Sequence, residues 1–277
     1  MRAHLAHPSS HERHGQPLRA SRLDPPAIPS LAMAALSPSI PREDLLGPCA
    51  SCAVRGTSVW GVLSAGELNQ LAGIVSTVSL PFGASVVREG KAADALFNVV
   101  RGSVKLFKLL PNGRRQITGF LFPGDFLGIA LNEIYAYNAE AIEPLELCRL
   151  PRRKLEVLLG TMPRLERKLL GTTAHELAAA QDQMVLLGRK TALERVASFL
   201  VSLSHRATRR GQSQTRLDIP MSRTDMADYL GLTTETVSRS LTALRRAGLI
   251  ELQGRNRIVL ADLDALCLVV DDGAEQM

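Results

Sequence analysis

Residues 222–248 read SRTDMADYLGLTTETVSRSLTALRRAG, which is two short amphipathic segments joined at a glycine. In the first segment Ser222 is a good N-cap, and Asp225 follows three residues later, where it can complete a capping box. Gly231 supplies the left-handed residue that lets two helices meet at a steep angle. Gly248 ends the second segment. We therefore predict a helix-turn-helix.

The second segment is predicted to be the helix that contacts DNA. Thr233 is placed to cap a helix over Thr234–Arg246, with Val237, Leu241 and Leu244 on its inner face and Glu235, Ser238, Arg239 and Thr242 on its outer face. Arginine pairs with guanine through two hydrogen bonds, and glutamate can accept one from the cytosine amino group. The candidate DNA-binding residues are Glu235, Ser238, Arg239, Thr233, Thr234 and Arg223. The alternative is a helical hairpin with a purely structural role. That role does not explain the exposed polar residues at the start of the second helix.

The surrounding sequence supports contact with nucleic acid. Residues 249–252 (Leu-Ile-Glu-Leu) and 258–260 (Ile-Val-Leu) are mainly apolar and stand on either side of Gln253-Gly254-Arg255-Asn256. This pattern predicts a two-stranded wing and so a winged helix-turn-helix. Between Arg189 and Arg257 there are twelve arginines and one lysine against six acidic residues, whereas the whole chain has a net charge of +6. The positive excess is therefore concentrated where phosphate contacts would need it.

Residues 81–150 have a different pattern, with recurrent glycines and short runs rich in β-forming residues. Pro111-Asn112-Gly113 predicts a hairpin turn, because Asn-Gly accepts positive φ. Many short strands separated by turn residues indicate a sandwich or barrel.

Residues 164–188 predict a long helix with an apolar seam. The seam residues are spaced alternately by three and four, and they are Leu170, Thr173, Leu177, Ala180, Met184 and Leu187. This spacing is typical of a coiled-coil face, and a symmetric dimer is the simplest way to cover it. Packing of the same face on the helix's own domain is the alternative. We predict a further helix over 192–205 and a polar loop over 206–215.

At this point the sequence resembles the CRP/FNR superfamily of bacterial transcription regulators, from Cys49 to Leu266. Residues 231–239 (GLTTETVSR) are similar to the recognition helix of the FNR branch, and 115–120 (RQITGF) and 123–128 (PGDFLG) are similar to its β-roll. The resemblance implies an α+β fold. It consists of an N-terminal β-roll, which is a jelly roll like that of cyclic-nucleotide-binding domains, a long dimerisation helix and a C-terminal winged helix-turn-helix.

The resemblance also implies a division of the chain and a set of partners. We expect a disordered N-terminal extension at 1–44, a β-roll sensor domain at 45–160, a dimerisation helix at 161–188 and a DNA-binding domain at 189–277. The implied partners are double-stranded DNA with a two-fold symmetric site, a second copy of the chain and RNA polymerase. No apolar run is long enough to span a membrane and no secretory signal is evident, so a cytoplasmic protein is expected.

No cyclic nucleotide is expected in the β-roll. Relatives that bind one use a Gly-Glu pair and an arginine in a phosphate cassette. Here Ile129 follows Gly128, and residues 131–140 contain no arginine. A cyclic phosphate would therefore lack its counter-charge.

The FNR branch instead implies an oxygen-labile 4Fe–4S cluster held by a C-x2-C-x5-C pattern and a distant fourth cysteine. Cys49 and Cys52 match the first pair and Cys148 matches the distant ligand, but the third position is Ser58. Serine is a poor cluster ligand. Ser58 itself, a nearby carboxylate or an exogenous ligand could complete the cluster. Alternatively, the Cys49/Cys52 thiols sense redox state directly, or the site has no sensor function.

Two other classes of protein fit less well. A cupin-like enzyme needs clustered histidines in its β-roll, and this chain has no histidine between His14 and His175. An electron carrier using Cys49 and Cys52 would not need a basic winged helix. We therefore expect no enzyme activity, and we expect Cys267 to be simply buried near the C-terminus.

Overall fold

The computed structural model describes residues 49, 52–128, 133–254 and 256–275, with side chains as far as Val270. The extension predicted at 1–44 lies outside the described residues. Within them, no helix combines the length and the apolar character that crossing a membrane requires.

The N-terminal half is a β-roll of two antiparallel sheets, which confirms the predicted class. A 3-10 turn at Val59–Val62 and helix α1 (Ala65–Ala72) precede the strands. The strands are β1 (Ser76–Leu80), β2 (Ser85–Val87), β3 (Ala95–Arg101), β4 (Val104–Leu109), β5 (Arg115–Leu121), β6 (Phe126–Leu127), β7 (Asn138–Ala141) and β8 (Leu145–Pro151). One sheet has the order β1-β8-β3-β6 and the other β2-β7-β4-β5.

The hairpin between β4 and β5 turns at the predicted place. Gly113 has a φ of 79°, and the side chain of Asn112 accepts a hydrogen bond from the backbone N–H of Arg114 at 3.1 Å. The inner faces of both sheets contribute to one apolar core, in which Val99, Val104 and Leu147 are fully buried. Alternation of buried residues is clearest along β7, where Ala139 and Ala141 face this core.

Two helices follow the roll. They are α2 (Arg152–Leu159) and α3 (Pro163–Arg189), and the 27 residues of α3 span about 40 Å. Of the predicted seam, Leu170, Leu177 and Met184 are 69%, 62% and 71% exposed. Ala180 is exposed as well. These side chains have no cover within the described chain.

Leu187 differs from the rest of that predicted seam. It is half-buried, and its methyl carbon lies 3.3 Å from the position that a Cβ on Gly231 would occupy. Leu187 therefore packs against the helix-turn-helix of its own chain. Val185, which the heptad spacing did not include, is 57% exposed on the same helix.

The C-terminal part is a winged helix-turn-helix. Its elements are α4 (Ala192–Arg209), β9 (Arg216–Asp218), α5 (Arg223–Leu230), α6 (Thr234–Arg246), β10 (Ile250–Gln253), β11 (Arg257–Leu260) and α7 (Leu263–Glu275). The helix predicted over 192–205 continues to residue 209, because Ala207 is buried and Arg206 stacks over Phe122. The loop predicted over 206–215 is correspondingly shorter.

The wing has three strands in the order β10-β11-β9, rather than the two predicted. The extra strand, β9, has only three residues, and Leu217 is its one buried side chain. Such a short strand produces no apolar alternation, so the sequence pattern did not predict it.

The β-roll and the C-terminal domain share one apolar cluster. Phe107, Ile117, Phe120 and Phe122 of the roll belong to it together with the core of the winged helix. The ring of Phe120 lies 5.4 Å from that of Tyr229 on α5, between centroids. The first helix of the helix-turn-helix is therefore packed directly on strand β5.

Candidate nucleic-acid interface and cysteine pocket

The first helix of the helix-turn-helix begins as its sequence predicts. The Ser222 hydroxyl accepts a hydrogen bond from the Asp225 N–H at 3.0 Å, and Asp225 Oδ2 accepts from the Ser222 N–H at 3.1 Å. This confirms the capping box. Gly231 ends the helix with φ 62° and ψ 40°, and Leu187 fills the space beside it. Both conformation and space therefore favour glycine at this turn.

The second helix, α6, presents the predicted polar face to solvent. Thr233 caps the helix by accepting from the Thr236 N–H at 3.1 Å, while Val237, Leu241 and Leu244 are buried against the domain core. The side chains of Glu235 and Arg239 are 77% and 71% exposed, and their charged atoms are 3.7 Å apart. At this exposure the pair contributes little to folding. Both groups are therefore free to change partners.

The structure brings most of the predicted DNA-binding residues together. Thr233, Thr234, Glu235, Ser238 and Arg239 are all exposed in the cap and first two turns of α6. The hydroxyl of Ser238 donates to the Thr234 carbonyl at 2.9 Å, which leaves its oxygen available as an acceptor.

Arg223 is in a different environment from the residues on α6. It is half-buried at the start of α5, with a guanidinium nitrogen 3.3 Å from the sulfur of Met226. Burial lowers the pKa of its guanidinium from the ordinary value. Arg255 of the wing lies outside the described residues.

Three cysteines from distant parts of the sequence line one apolar pocket. Cys49 and Cys52 come from the segment before α1, and Cys148 comes from strand β8; the other lining residues are Arg55, Trp60, Leu68 and Val75. Strand β8 pairs with β1 and β3 in the β1-β8-β3-β6 sheet. The N-terminal segment thus lies against the face of the roll that carries Cys148.

The thiols of this pocket differ in acidity. A hydrogen bond with Cys148 lowers the pKa of Cys52 to about 6 despite burial, and backbone hydrogen bonds from Val54 and Arg55 act in the same direction. The same bond with Cys52, together with burial, raises the pKa of Cys148. Burial also raises the pKa of Cys49. Cys52 is therefore the thiolate of the pocket near neutral pH.

Ser58 does not line the pocket. It is buried, and its hydroxyl donates to the Arg55 carbonyl at 3.2 Å and accepts from the Trp60 N–H at 3.3 Å. Ser58 is therefore the N-cap of the 3-10 turn, and its oxygen is already engaged. Among the described residues, no three His, Cys, Asp or Glu side chains are arranged to hold a single metal ion.

The donor set can be tested against a four-iron cluster on these observations. A cubane places its ligands at four separate corners, and three soft thiols converge here, as such a cluster requires. Within the described chain the pocket lining includes no carboxylate, and the hydroxyl of Ser58 is committed elsewhere. The described residues therefore fit three corners, and none of the described residues that line the pocket supplies the fourth.

Two buried polar residues in this region were not singled out from the sequence. Asn98 is fully buried beside Cys148 in the sheet register and donates to the carbonyls of Gly124 and Asp125 at 3.1 and 3.0 Å. Its Oδ1 has no hydrogen-bond partner among the described residues. Lys105 is 6% exposed on strand β4. The asparagine interrupts an apolar run, Leu-Phe-Asn-Val-Val, and that interruption was the available signal.

The expectation that no cyclic nucleotide binds stays a prediction. Residues 129–132, which include the position after Gly128, lie outside the described residues. Gly128 itself has a φ of 92°, and its N–H donates to the Tyr137 hydroxyl at 3.0 Å.

Comparisons with known proteins agree with this architecture. The family model of the Crp-like helix-turn-helix domain matches residues 194–269, and that of the cyclic nucleotide-binding domain matches 77–161. The nitrogen fixation regulation protein FixK of Bradyrhizobium diazoefficiens is 40% identical over 202 residues, which are 73% of this chain and 85% of FixK. The transcriptional activator protein FnrL of Cereibacter sphaeroides is 35% identical over 235 residues, covering 83% of this chain and 95% of FnrL.

Among solved structures, that of FixK2 from Bradyrhizobium japonicum is similar to this chain. The TM-score is 0.67 at 39% identity, over 71% of this chain and 97% of FixK2. The sequence identity and coverage of these relatives establish the family, and the shared architecture extends from the β-roll to the winged helix. The chain is a member of the CRP/FNR family of transcription regulators.

Proposed function

We propose that this regulator binds a two-fold symmetric DNA site as a homodimer and reads each half-site with Glu235, Ser238 and Arg239. The exposed, capped start of α6 carries the proposal, because this is the part of a helix-turn-helix that enters the major groove. Thr233 and Thr234 stand at the same helix end, where N–H groups and hydroxyls suit phosphate contacts. Arg223, at the start of α5, is proposed as a further backbone contact.

The uncovered face of α3 supports the homodimer. Leu170, Leu177 and Met184 repeat every seven residues and are each more than 60% exposed. A second copy of the same helix would cover this seam by a two-fold axis along it. Two recognition helices would then be presented to two half-sites.

Selection from a random duplex pool tests the DNA-reading function. The full chain is expected to enrich a palindromic site. Light scattering is expected to give the mass of two chains for the free protein and of two chains plus one duplex for the complex. Enrichment of an asymmetric site, or of no site, would contradict the proposal. As a transcription regulator the dimer would act on RNA polymerase, which transcription from a template bearing the enriched site would test.

We further propose that the pocket of Cys49, Cys52 and Cys148 senses oxygen or redox state through a 4Fe–4S cluster with three thiolate ligands. When bound, such a cluster supplies a centre that oxygen can oxidise. The convergence of three thiols carries this proposal. Trp60, Leu68 and Val75 give the pocket an apolar lining.

Chemical analysis after strictly anaerobic purification tests the cluster. We expect iron and acid-labile sulfide in the wild-type protein, with a brown absorption that air removes, and their loss in Cys148→Ser. Ser58→Ala is the matched control, because Ser58 lies outside the pocket lining, and it should keep its iron. Colourless, iron-free protein that still binds the enriched duplex would exclude the cluster.

Direct thiol sensing is a second candidate, and the hydrogen bond between Cys52 and Cys148 favours it. A peroxide would oxidise the Cys52 thiolate to a sulfenic acid, and the Cys148 sulfur would then displace water to form a disulfide. Two thiols would lose two electrons, and the peroxide would be reduced to water. Peptide mapping after peroxide treatment would show a Cys52–Cys148 bridge. A Cys49–Cys52 bridge would assign the sensing to that pair instead, and the absence of any bridge would contradict direct thiol sensing.

A further inference from the structure

The β-roll contacts the first helix of the helix-turn-helix through charged side chains that centre on a buried ion pair. The ammonium group of Lys105, on β4, lies 3.1 Å from Oδ1 of Asp225 on α5 and 2.9 Å from Oε1 of Glu140 on β7. The side chains of Lys105 and Asp225 are 8% and 9% exposed. They are separated by 120 residues in sequence. This pair links the two domains of one chain at a site that water hardly reaches.

A second layer of polar contacts surrounds the pair. The guanidinium of Arg115, on β5, lies 3.1 Å from Asp228 and 3.7 Å from Asp225. The side-chain amide of Gln116 donates to the Asp228 carbonyl at 2.8 Å. At the far end of α5 the side-chain amide of Gln183 donates to the Tyr229 carbonyl at 2.9 Å. Helix α5 is therefore held along its length.

Asp225 has two roles in this arrangement. Its Oδ2 completes the capping box with Ser222, while its Oδ1 meets Lys105. Against the effect of burial, the hydrogen bonds from Ser222 and Lys105 hold the pKa of the Asp225 carboxyl below its usual value. The carboxylate that fixes the start of the helix is thus the group that the β-roll holds.

The orientation of α5 determines that of α6. Only Gly231, Leu232 and Thr233 separate the two helices, and Leu230 and Val237 are both fully buried in the core that they share. A well-packed core does not deform continuously, so the two helices move together. Whatever fixes α5 on the roll therefore fixes the direction in which Glu235 and Arg239 point.

We infer that Lys105 is a positioning residue for DNA recognition, which acts through Asp225 to orient the recognition helix against the β-roll. The inference rests on the proposed DNA-reading function. It adds a direct contact between the β-roll and the helix-turn-helix to the connection that the long helix α3 makes between them. Removing Lys105 would leave the buried Asp225 carboxylate with only the more distant Arg115 guanidinium as a counter-charge, so the docked arrangement is sensitive to Lys105.

Binding by matched variants tests the inference in the full-length protein. Lys105→Met removes the buried charge, Lys105→Arg keeps it, and Lys108→Met removes a lysine of the same strand whose pair with Glu89 is exposed. Affinity is measured for the duplex that the wild type enriches and for a scrambled duplex, at one salt concentration. We expect Lys105→Met to lose at least tenfold for the enriched duplex and to change less than threefold for the scrambled one. We expect the other two variants to match the wild type within threefold.

Docking is also measured without DNA, so failure of the DNA-reading function does not obscure the result. Trypsin should cut the junction of α3 and α4, at Arg189 and Lys190, faster in Lys105→Met than in Lys108→Met. If Lys105→Met does not fold, Arg115→Met takes its place, because Arg115 is 31% exposed. Wild-type affinity for the enriched duplex together with a wild-type cleavage rate in a folded variant would overturn the inference. Failure of the wild type to enrich any duplex would refute the proposed function instead.

Discussion

Replacement of Arg239 by alanine should separate DNA recognition from folding. The side chain is 71% exposed, and its contact with Glu235 is 3.7 Å, so its loss should cost the free energy of unfolding no more than about 0.5 kcal/mol. A bidentate arginine–guanine contact contributes about 1–3 kcal/mol of discrimination. A homodimer loses it twice, so specific binding should weaken by about 2 kcal/mol at the least, or roughly 30-fold.

Fluorescence anisotropy with the enriched and scrambled duplexes would measure this effect at fixed ionic strength. Arg245→Ala is the matched control, since Arg245 is exposed in the last turn of the same helix, away from the capped end. If Arg245 contacts phosphates, its loss should weaken both duplexes equally. Urea unfolding of both variants checks that the fold is kept.

The reasoning would be refuted if Arg239→Ala still preferred the enriched duplex by the wild-type factor. It would also be refuted if the variant lost both affinities equally, because Arg239 would then act as a general cation. A large loss of unfolding free energy would show that the side chain has a structural role that its exposure does not reveal.

Three further outcomes are expected. Leu177→Glu, which places a charge in the exposed seam of α3, should give a single-chain mass in light scattering. Ser222→Ala should lower the unfolding free energy by about 1 kcal/mol in urea, because it removes the helix cap. Alkylation of Cys52 should have a midpoint near pH 6, and Cys148→Ala should move that midpoint upward, since the hydrogen bond from Cys148 is the largest cause of the lowered pKa and alanine removes the donor.

Each of these outcomes has a clear opposite. A two-chain mass for Leu177→Glu would place the dimer contact elsewhere. An unchanged urea midpoint for Ser222→Ala would mean that the Ser222 hydroxyl contributes nothing to stability, and that other contacts keep Asp225 in place. An alkylation midpoint for Cys52 that does not move in Cys148→Ala would assign its acidity to the backbone hydrogen bonds.

The helix-turn-helix was predictable because its determinants are local. A capping serine, an aspartate three residues later and a glycine at the turn each act within a few residues, and all three appear as predicted. The hairpin at Asn112-Gly113 was predictable for the same reason. The three-stranded wing was not, since β9 has only three residues and depends on pairing with a strand that lies about forty residues later.

The features that depend on tertiary contact could not be predicted. Lys105 lies in a strand of alternating pattern, where a lysine is expected at the surface, and its partner is distant in sequence. The sequence showed that Ser58 stands where a thiol is expected, but its hydrogen bonds with Arg55 and Trp60 emerge only in the folded segment. That Cys148 meets Cys49 and Cys52 was expected only from the resemblance to the FNR branch, because no local pattern predicts it. The cluster itself stays a prediction.

Asp225 both helps to cap helix α5 and pairs with Lys105 of the β-roll. This double role limits how freely the domains of this protein could be exchanged by recombination or design. A chimera that joins its C-terminal domain to a foreign β-roll would leave Asp225 and Asp228 without Lys105 and Arg115. The transplanted winged helix would keep its base-contacting side chains but lose the contacts that orient its recognition helix. Exchange of DNA-binding domains between regulators of this kind should therefore succeed only when strands β4 and β5 are transferred together with the winged helix.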